Sequence, residues 1–153
     1  MILSHDVNNK TISEEIWELI SNREAIEVNQ DYVGDSGGPF LQSNETIYLF
    51  ESPEDPTPLP IPRYQLLSKQ LRNGRVAVLL MNSDDVAVEL FLPFEAIPGT
   101  EYKATGKASS PMVYHVRDVW SHSDLGVFSQ EWSTTVAPHD SAFVILDAAS
   151  QVL

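Results

Sequence analysis

Between Glu24 and Gly34 the periodicity of the sequence changes, and that change limits what the chain can fold into. Upstream, Ile2-Leu3-Ser4-His5-Asp6-Val7 reads as the carboxyl end of a buried parallel strand, followed by a helical pattern. Downstream, short apolar runs recur between turn signals, the mark of an antiparallel β fold. Ala25, Ile26 and Val28 still fit a helical turn. Asn29, Asp31 and Gly34 leave helices, through side-chain bonds to their own backbone or tolerance of positive φ. The boundary is placed at 34/35: residues 1–34 form one strand–helix unit, and 35–153 a mainly β domain. The upstream strand has no parallel neighbour in its own segment, so the unit is incomplete by itself.

Within that unit, Ser13 is expected to cap a helix, with Glu14 and Glu15 at the positive end of its dipole. Ile12 and Trp17 fit a hydrophobic staple, and Ile16, Leu19 and Ile20 make an apolar stripe that needs a sheet to cover it. Ser21-Asn22 breaks this helix, and Arg23 to Val28 adds one further turn.

In the second segment, Asp35-Ser36-Gly37-Gly38-Pro39 is a turn cluster, and Phe40-Leu41 and Ile47 to Phe50 read as short strands. Prolines at 53, 56, 58, 60 and 62 are expected to prevent strand pairing and to favour an extended surface loop. An SH3-type ligand is the sharper reading of the same residues. Tyr64 to Leu71 and Val76 to Met81 flank Asn73-Gly74, the signature of a tight hairpin. Further strands are expected over Val86–Leu92, Val113–Trp120, Val127–Val136 and Ala142–Leu146, with turns at 82–85, 98–99, 121–126 and 138–140 and an irregular loop over 101–111. Such a run of short strands predicts an antiparallel β-sandwich or barrel.

Charge and composition narrow the partners. With 22 acidic residues against 9 basic, the net charge of −13 disfavours phosphate-rich partners, so nucleic acid is not expected. The chain has no cysteine, which removes disulfides, thiolate zinc sites and cysteine nucleophiles. No apolar run reaches the roughly 20 residues of a membrane helix. Polar Ser4-His5-Asp6 after Met1-Ile2-Leu3 does not fit a signal peptide. Asn9-Lys10-Thr11 and Asn44-Glu45-Thr46 fit the N-glycosylation acceptor pattern.

Several groupings invite a chemical reading. His5-Asp6 ends a candidate parallel strand, where barrel enzymes place catalytic groups; helix capping or positioning is the plainer role. Glu54-Asp55 and Asp84-Asp85 are adjacent carboxylates in turns, but a retaining glycosidase holds its two carboxyl groups about 5 Å apart on separate elements, so solvated turns are expected. His115, His122 and His139 lie in separate β segments with no zinc-type spacing, and no metal is implied. Ser36-Gly37-Gly38 lacks the lysine and helix of a phosphate loop. Trp120, Phe128 and Trp132 fit either a sugar-stacking platform or sandwich core, and core is the simpler account.

In order and spacing, these residues resemble the carboxyl-terminal part of glycoside hydrolase family 27, the α-galactosidases and α-N-acetylgalactosaminidases. Ile2 to Asp6 is similar to the eighth strand of that family's barrel, Ile12 to Ile20 to its last helix, and Ile26 to Asp31 with Gly34 to its Asn-Gln-Asp boundary motif. Val76 to Asn82, Val116 to Trp120, Asp124-Leu125-Gly126 and Val136 to His139 follow as in the family's C-terminal sandwich. Asp140 departs from the usual glycine, and the proline-rich segment and residues 101 to 111 lengthen two connections. The resemblance implies a truncated (β/α)8 barrel end over 1–34 and a sandwich over 35–153. It implies a retaining hydrolysis of terminal α-D-galactosides by the full-length parent, whose two aspartates lie on earlier barrel strands. No catalytic residue is therefore assigned in this chain and no cofactor is implied; Asp6, Asp31 and Asp118 match positions of structural role. For the parent the resemblance also implies a secreted, lysosomal or vacuolar location and allows a homodimer. A non-catalytic sandwich that binds carbohydrate or protein is the alternative.

Overall fold

A computed structural model describes residues 10–52, 55–99 and 112–149. His5, Asp6, Asn9, Glu54, the expected strand at 2–7 and the loop at 101–111 lie outside the described residues. Among the described residues two helices, α1 (Lys10–Ile20) and α2 (Arg23–Gln30), precede ten strands. These are β1 (Gly38–Gln42), β2 (Thr46–Ser52), β3 (Asp55–Pro62), β4 (Tyr64–Gln70), β5 (Val76–Asn82), β6 (Val88–Pro93), β7 (Val113–Asp118), β8 (Ser123–Ser129), β9 (Glu131–Val136) and β10 (Ser141–Ala148). Among the described residues no helix is long and apolar enough to cross a membrane.

The strands form an antiparallel β-sandwich. One sheet has six strands in the order β1-β4-β5-β10-β7-β8, and β6 pairs with β9 to cover it. Every pairing among the described residues is antiparallel. The β4–β5 hairpin turns where the Asn-Gly pair predicts it. Asn73 (φ 61°) and Gly74 (φ 73°) both adopt the left-handed region that matches the twist of a tight hairpin.

Alternation along each strand builds the core. Val76, Val78 and Leu80 of β5 face Leu90 and Leu92 of β6 and Trp132 and Val136 of β9, joined by Leu66, Val116, Val144 and Leu146. Phe94, just past β6, is fully buried and meets Tyr114 edge-on, with ring centroids 4.9 Å apart at 74°. The intervening residues of β5 and β10 point to the sheet's other face, where Ala77 is also buried beside Phe143 and Ile145. β5 is thus apolar on both sides, which explains its near-continuous apolar reading.

Four local expectations are corrected. α1 begins at Lys10, so Ser13 lies inside the helix rather than capping it. The prolines do not prevent pairing: β3 pairs with β2, with Pro58, Pro60 and Pro62 opposite Phe50, Tyr48 and Thr46. Because prolines occupy every second position, their missing amides all face away from β2, while Thr57, Leu59 and Ile61 keep theirs towards it. The single strand expected over Val127–Val136 is two, split at Gln130 (φ 72°). There the chain leaves β7 for β6, with Gln130 N–H donating to Met112 O (2.9 Å) and Gln130 O accepting from Phe94 N (2.9 Å). The turn expected over 121–126 is shorter, since β7 ends at Asp118 and β8 begins at Ser123.

Leu80→Ala is expected to cost about 2–5 kcal/mol, because it empties a fully buried position. Met81→Ala, next to it but 36% exposed, should cost under about 1 kcal/mol. Urea unfolding of both variants checks the contrast; equal midpoint shifts would contradict the assigned facing of β5.

Candidate functional site

The most elaborate set of side chains lies where α2 crosses the outer face of the six-stranded sheet. Its apolar contact is small: Val28 packs on Leu71 and Ala77, with Phe143 and Ile145 alongside. Polar groups at both ends of the helix complete the docking. At the start, the Asn22 side chain accepts from Ala25 N–H (3.1 Å) as the N-cap and donates through Nδ2 to Val119 O (2.9 Å), just past the end of β7. Asn22 and Val119 are both buried. One residue after the helix start, Glu24 takes a two-pronged bond from Arg117 on β7, Nε–Oε2 2.9 Å and Nη2–Oε1 2.7 Å. His122 Nδ1 lies 2.9 Å from Glu24 Oε1, and Arg117 Nη1 also donates to Asp124 Oδ1 (3.1 Å).

At the other end, Lys69 Nζ on β4 donates to the last helical carbonyls, Val28 O (2.6 Å) and Asn29 O (3.1 Å). A cation there also suits the negative end of the helix dipole. Asp31, just past the helix, accepts from Arg72 N (3.0 Å) and pairs with Arg72 Nε (3.2 Å) in the hairpin turn. Electrostatics follow the geometry. The Arg117 hydrogen bond, with help from His122, holds the Glu24 carboxyl below its ordinary value of 4.5 against an opposing desolvation, and Glu24 then Asp124 raise Arg117.

Beside this joint runs an open groove of about 1120 Å³, lined by Leu19, Asn22, Glu24, Trp120, His122 and Asp140 among others. A second, of about 370 Å³, separates the β2–β3 ribbon from Leu79 and Met81. Both open onto the same outer face of the sheet.

The candidates read from sequence do not converge. Asp84 pairs with Arg63, whose guanidinium also meets Glu45 (2.9 Å), while Asp85 pairs with His139 (2.8 Å). His115 lies 4.0 Å from Asp124, and His122 is on Glu24, so the three histidines sit with three different carboxylates. Among the described residues no group of three or more metal-ligating side chains is arranged to hold an ion. Trp132 is in the core and Phe128 packs against it; Trp120 is on the other face, 5.4 Å from Phe143, so no aromatic platform forms. Asp118 Oδ1 accepts from Trp120 N (2.8 Å) and Ser121 N (3.3 Å), fixing the β7–β8 turn. Gly37 is a turn pressed on β4: a Cβ there would meet Ser68 O at 2.5 Å. Asn22, Glu24, Lys69 and Arg117 were not singled out by sequence. Asn22 and Glu24 have partners 97 and 93 positions away, and only the helix break at Ser21-Asn22 was visible locally.

Residues 62–146, more than half of the chain, match the family model of the α-galactosidase C-terminal β-sandwich domain. The chain belongs to that family. Its resemblance to glycoside hydrolase family 27 extends beyond the matched segment. An α-galactosidase from Oryza sativa subsp. japonica is 28% identical over 90% of the chain, which spans 26% of the rice protein. The crystal structure of α-galactosidase I from Mortierella vinacea superposes with a TM-score of 0.70 at 25% identity, over 97% of this chain and 32% of that one. A family 27 β-L-arabinopyranosidase from Geobacillus stearothermophilus shares the fold at TM-score 0.62 and 17% identity, over 88% and 24% of the two chains. The chain thus spans about a quarter to a third of these relatives.

Asn22→Ala removes the cap and leaves a buried carbonyl without its donor, so a loss of about 2 kcal/mol is expected in chemical unfolding. For Glu24 the sign follows from its lowered pKa. Its contribution is complete above the ordinary value of 4.5 and is lost as pH falls through the lower folded value. Wild type should therefore exceed Glu24→Gln in urea midpoint at neutral pH, and the two should converge on acidification. A gap that widens in acid would contradict the assignment.

Proposed function

We propose that this chain is the carboxyl-terminal part of an α-galactosidase-like retaining glycoside hydrolase, and that its own work is to seat the end of the catalytic barrel on the sandwich. The observation that carries this reading is the fastening of α2 at both ends, by Asn22 and Glu24 at the start and by Lys69 and Asp31 at the finish. A helix held by several sheet-borne groups is positioned more narrowly than its small apolar contact would allow. In this reading residues 1–34 are the final strand and helix of a (β/α)8 barrel, and residues 35–153 are the sandwich that aligns them. The half-covered α1, with Trp17 65% and Leu19 59% exposed, then packs against the rest of the barrel.

The parent would hydrolyse terminal α-D-galactosides with two aspartates on earlier barrel strands, one as nucleophile and one as acid and then base. This chain would add no catalytic residue. Its described carboxylates at the joint, Glu24, Asp31 and Asp124, are already engaged by cations. A secreted, lysosomal or vacuolar location and a homodimer belong to the same reading of the parent. The occurrence of one sandwich beside both an α-galactosidase and a β-L-arabinopyranosidase supports leaving substrate choice to the barrel. A sugar-binding sandwich is less favoured, because Trp120, Phe128 and Trp132 do not share a face.

The test is enzymatic and genetic. The purified chain should release no aryl leaving group from an aryl α-D-galactoside, whereas the product of a reading frame extended upstream of Met1 by roughly 250 residues, the rest of a barrel, should do so. Turnover by the chain alone would overturn the seating role.

A further inference from the structure

The acceptor tripeptide Asn44-Glu45-Thr46 and the β2–β3 ribbon fall together in space, and neither is used by the helix joint. Asn44 is exposed between β1 and β2. The turn around it is fixed from inside. Buried Ser43 accepts from Glu45 N–H through Oγ (2.9 Å), Ser43 N–H donates to Tyr64 O (3.0 Å), and Glu45 O accepts from Arg63 N–H (3.0 Å). Asn44 is therefore displayed at a held apex, with Thr46 exposed two residues on as the first residue of β2.

Thr46 starts a strand face of unusual composition. Period-two alternation puts Thr46 and Tyr48 on one side of the ribbon with their partners Pro62 and Pro60, and Pro58 further along. Leu49 and Ile61 take the other side and face the groove above Leu79 and Met81. On the outward side Tyr48 is 61% exposed and Pro58 and Pro60 are exposed too. Rigid aromatic and pyrrolidine rings with little polar surface of their own suit the apolar face of a pyranose, with the tyrosine hydroxyl left for a sugar hydroxyl. The prolines exclude a further strand along their edge, so another β-chain is a poor occupant.

We propose that Asn44 is an N-glycan acceptor and that the first sugars of its glycan lie along the Tyr48–Pro60 face. In the transfer, the Asn44 side-chain nitrogen bonds to the anomeric carbon of an oligosaccharide carried on a polyprenyl diphosphate. The bond from that carbon to the diphosphate oxygen breaks, the diphosphate leaves with the electron pair, and one amide proton passes to it or to solvent. Thr46 supplies the hydroxyl that the transferring enzyme requires at the second position.

The full chain, secreted from a eukaryotic host behind a cleavable leader, supplies the test. Glycopeptide mass mapping should find the glycan on Asn44, absent in Asn44→Gln and kept in Thr46→Ser. The glycosylated chain should melt about 3 °C above Asn44→Gln, a shift of the size expected from roughly 1 kcal/mol in a domain of this length. In a Tyr48→Ser background that difference should vanish, with near-ultraviolet circular dichroism confirming that each variant is folded. A secreted, folded chain with bare Asn44 overturns the acceptor site. An occupied Asn44 whose loss lowers Tm equally with and without Tyr48→Ser overturns the seat on the ribbon.

Discussion

A six-stranded sheet with apolar side chains on both faces must be covered twice, and most of this structure follows from that requirement. The inner face is covered by the β6–β9 pair, which is why the chain turns its corner at Gln130 to leave one sheet for the other. Among the described residues the outer face is met only in part by a second sheet, the two-stranded β2–β3 ribbon. Over Ala77 and Ile145 its cover is α2, and over Leu79 and Met81 it is an open groove beside the β2–β3 ribbon. The small apolar contact under α2 needs the polar fastenings at its ends, and these in turn fix where the preceding helix leaves the sandwich.

Those fastenings differ in kind. The Asn22 amide works from a buried position, where losing a partner is costly, and it serves helix and sheet at once. The Glu24–Arg117 pair is more exposed, with side chains 22% and 34% accessible, so it contributes orientation more than stability. Its two-pronged geometry fixes the rotation of the helix about its axis, which a single amide bond leaves open.

How much of this was readable from the chain depends on range. The Asn73-Gly74 turn, the apolar run of β5, the alternation of β6 and the break at Ser21-Asn22 are local, and the sequence carried them. The family resemblance was readable for the same reason, because its motifs are short runs kept in order. The proline ladder of β3 pairs against expectation because the prolines alternate, and alternation leaves every other amide free to pair. Gln130 misled because a corner taken by a non-glycine residue leaves no compositional mark. The joint was hidden because Glu24 and Arg117 become neighbours only after the sheet exists.

Strand order adds a consequence for synthesis. β10, the last described strand, sits in the middle of the six-stranded sheet between β5 and β7. Until residues 141–148 have left the ribosome, β1-β4-β5 and β7-β8 are two separate ribbons with bare edges facing the gap. The nascent chain must keep both from pairing with anything else while it waits, and a translation stop shortly before Ser141 would leave two half-sheets rather than a slightly shortened domain.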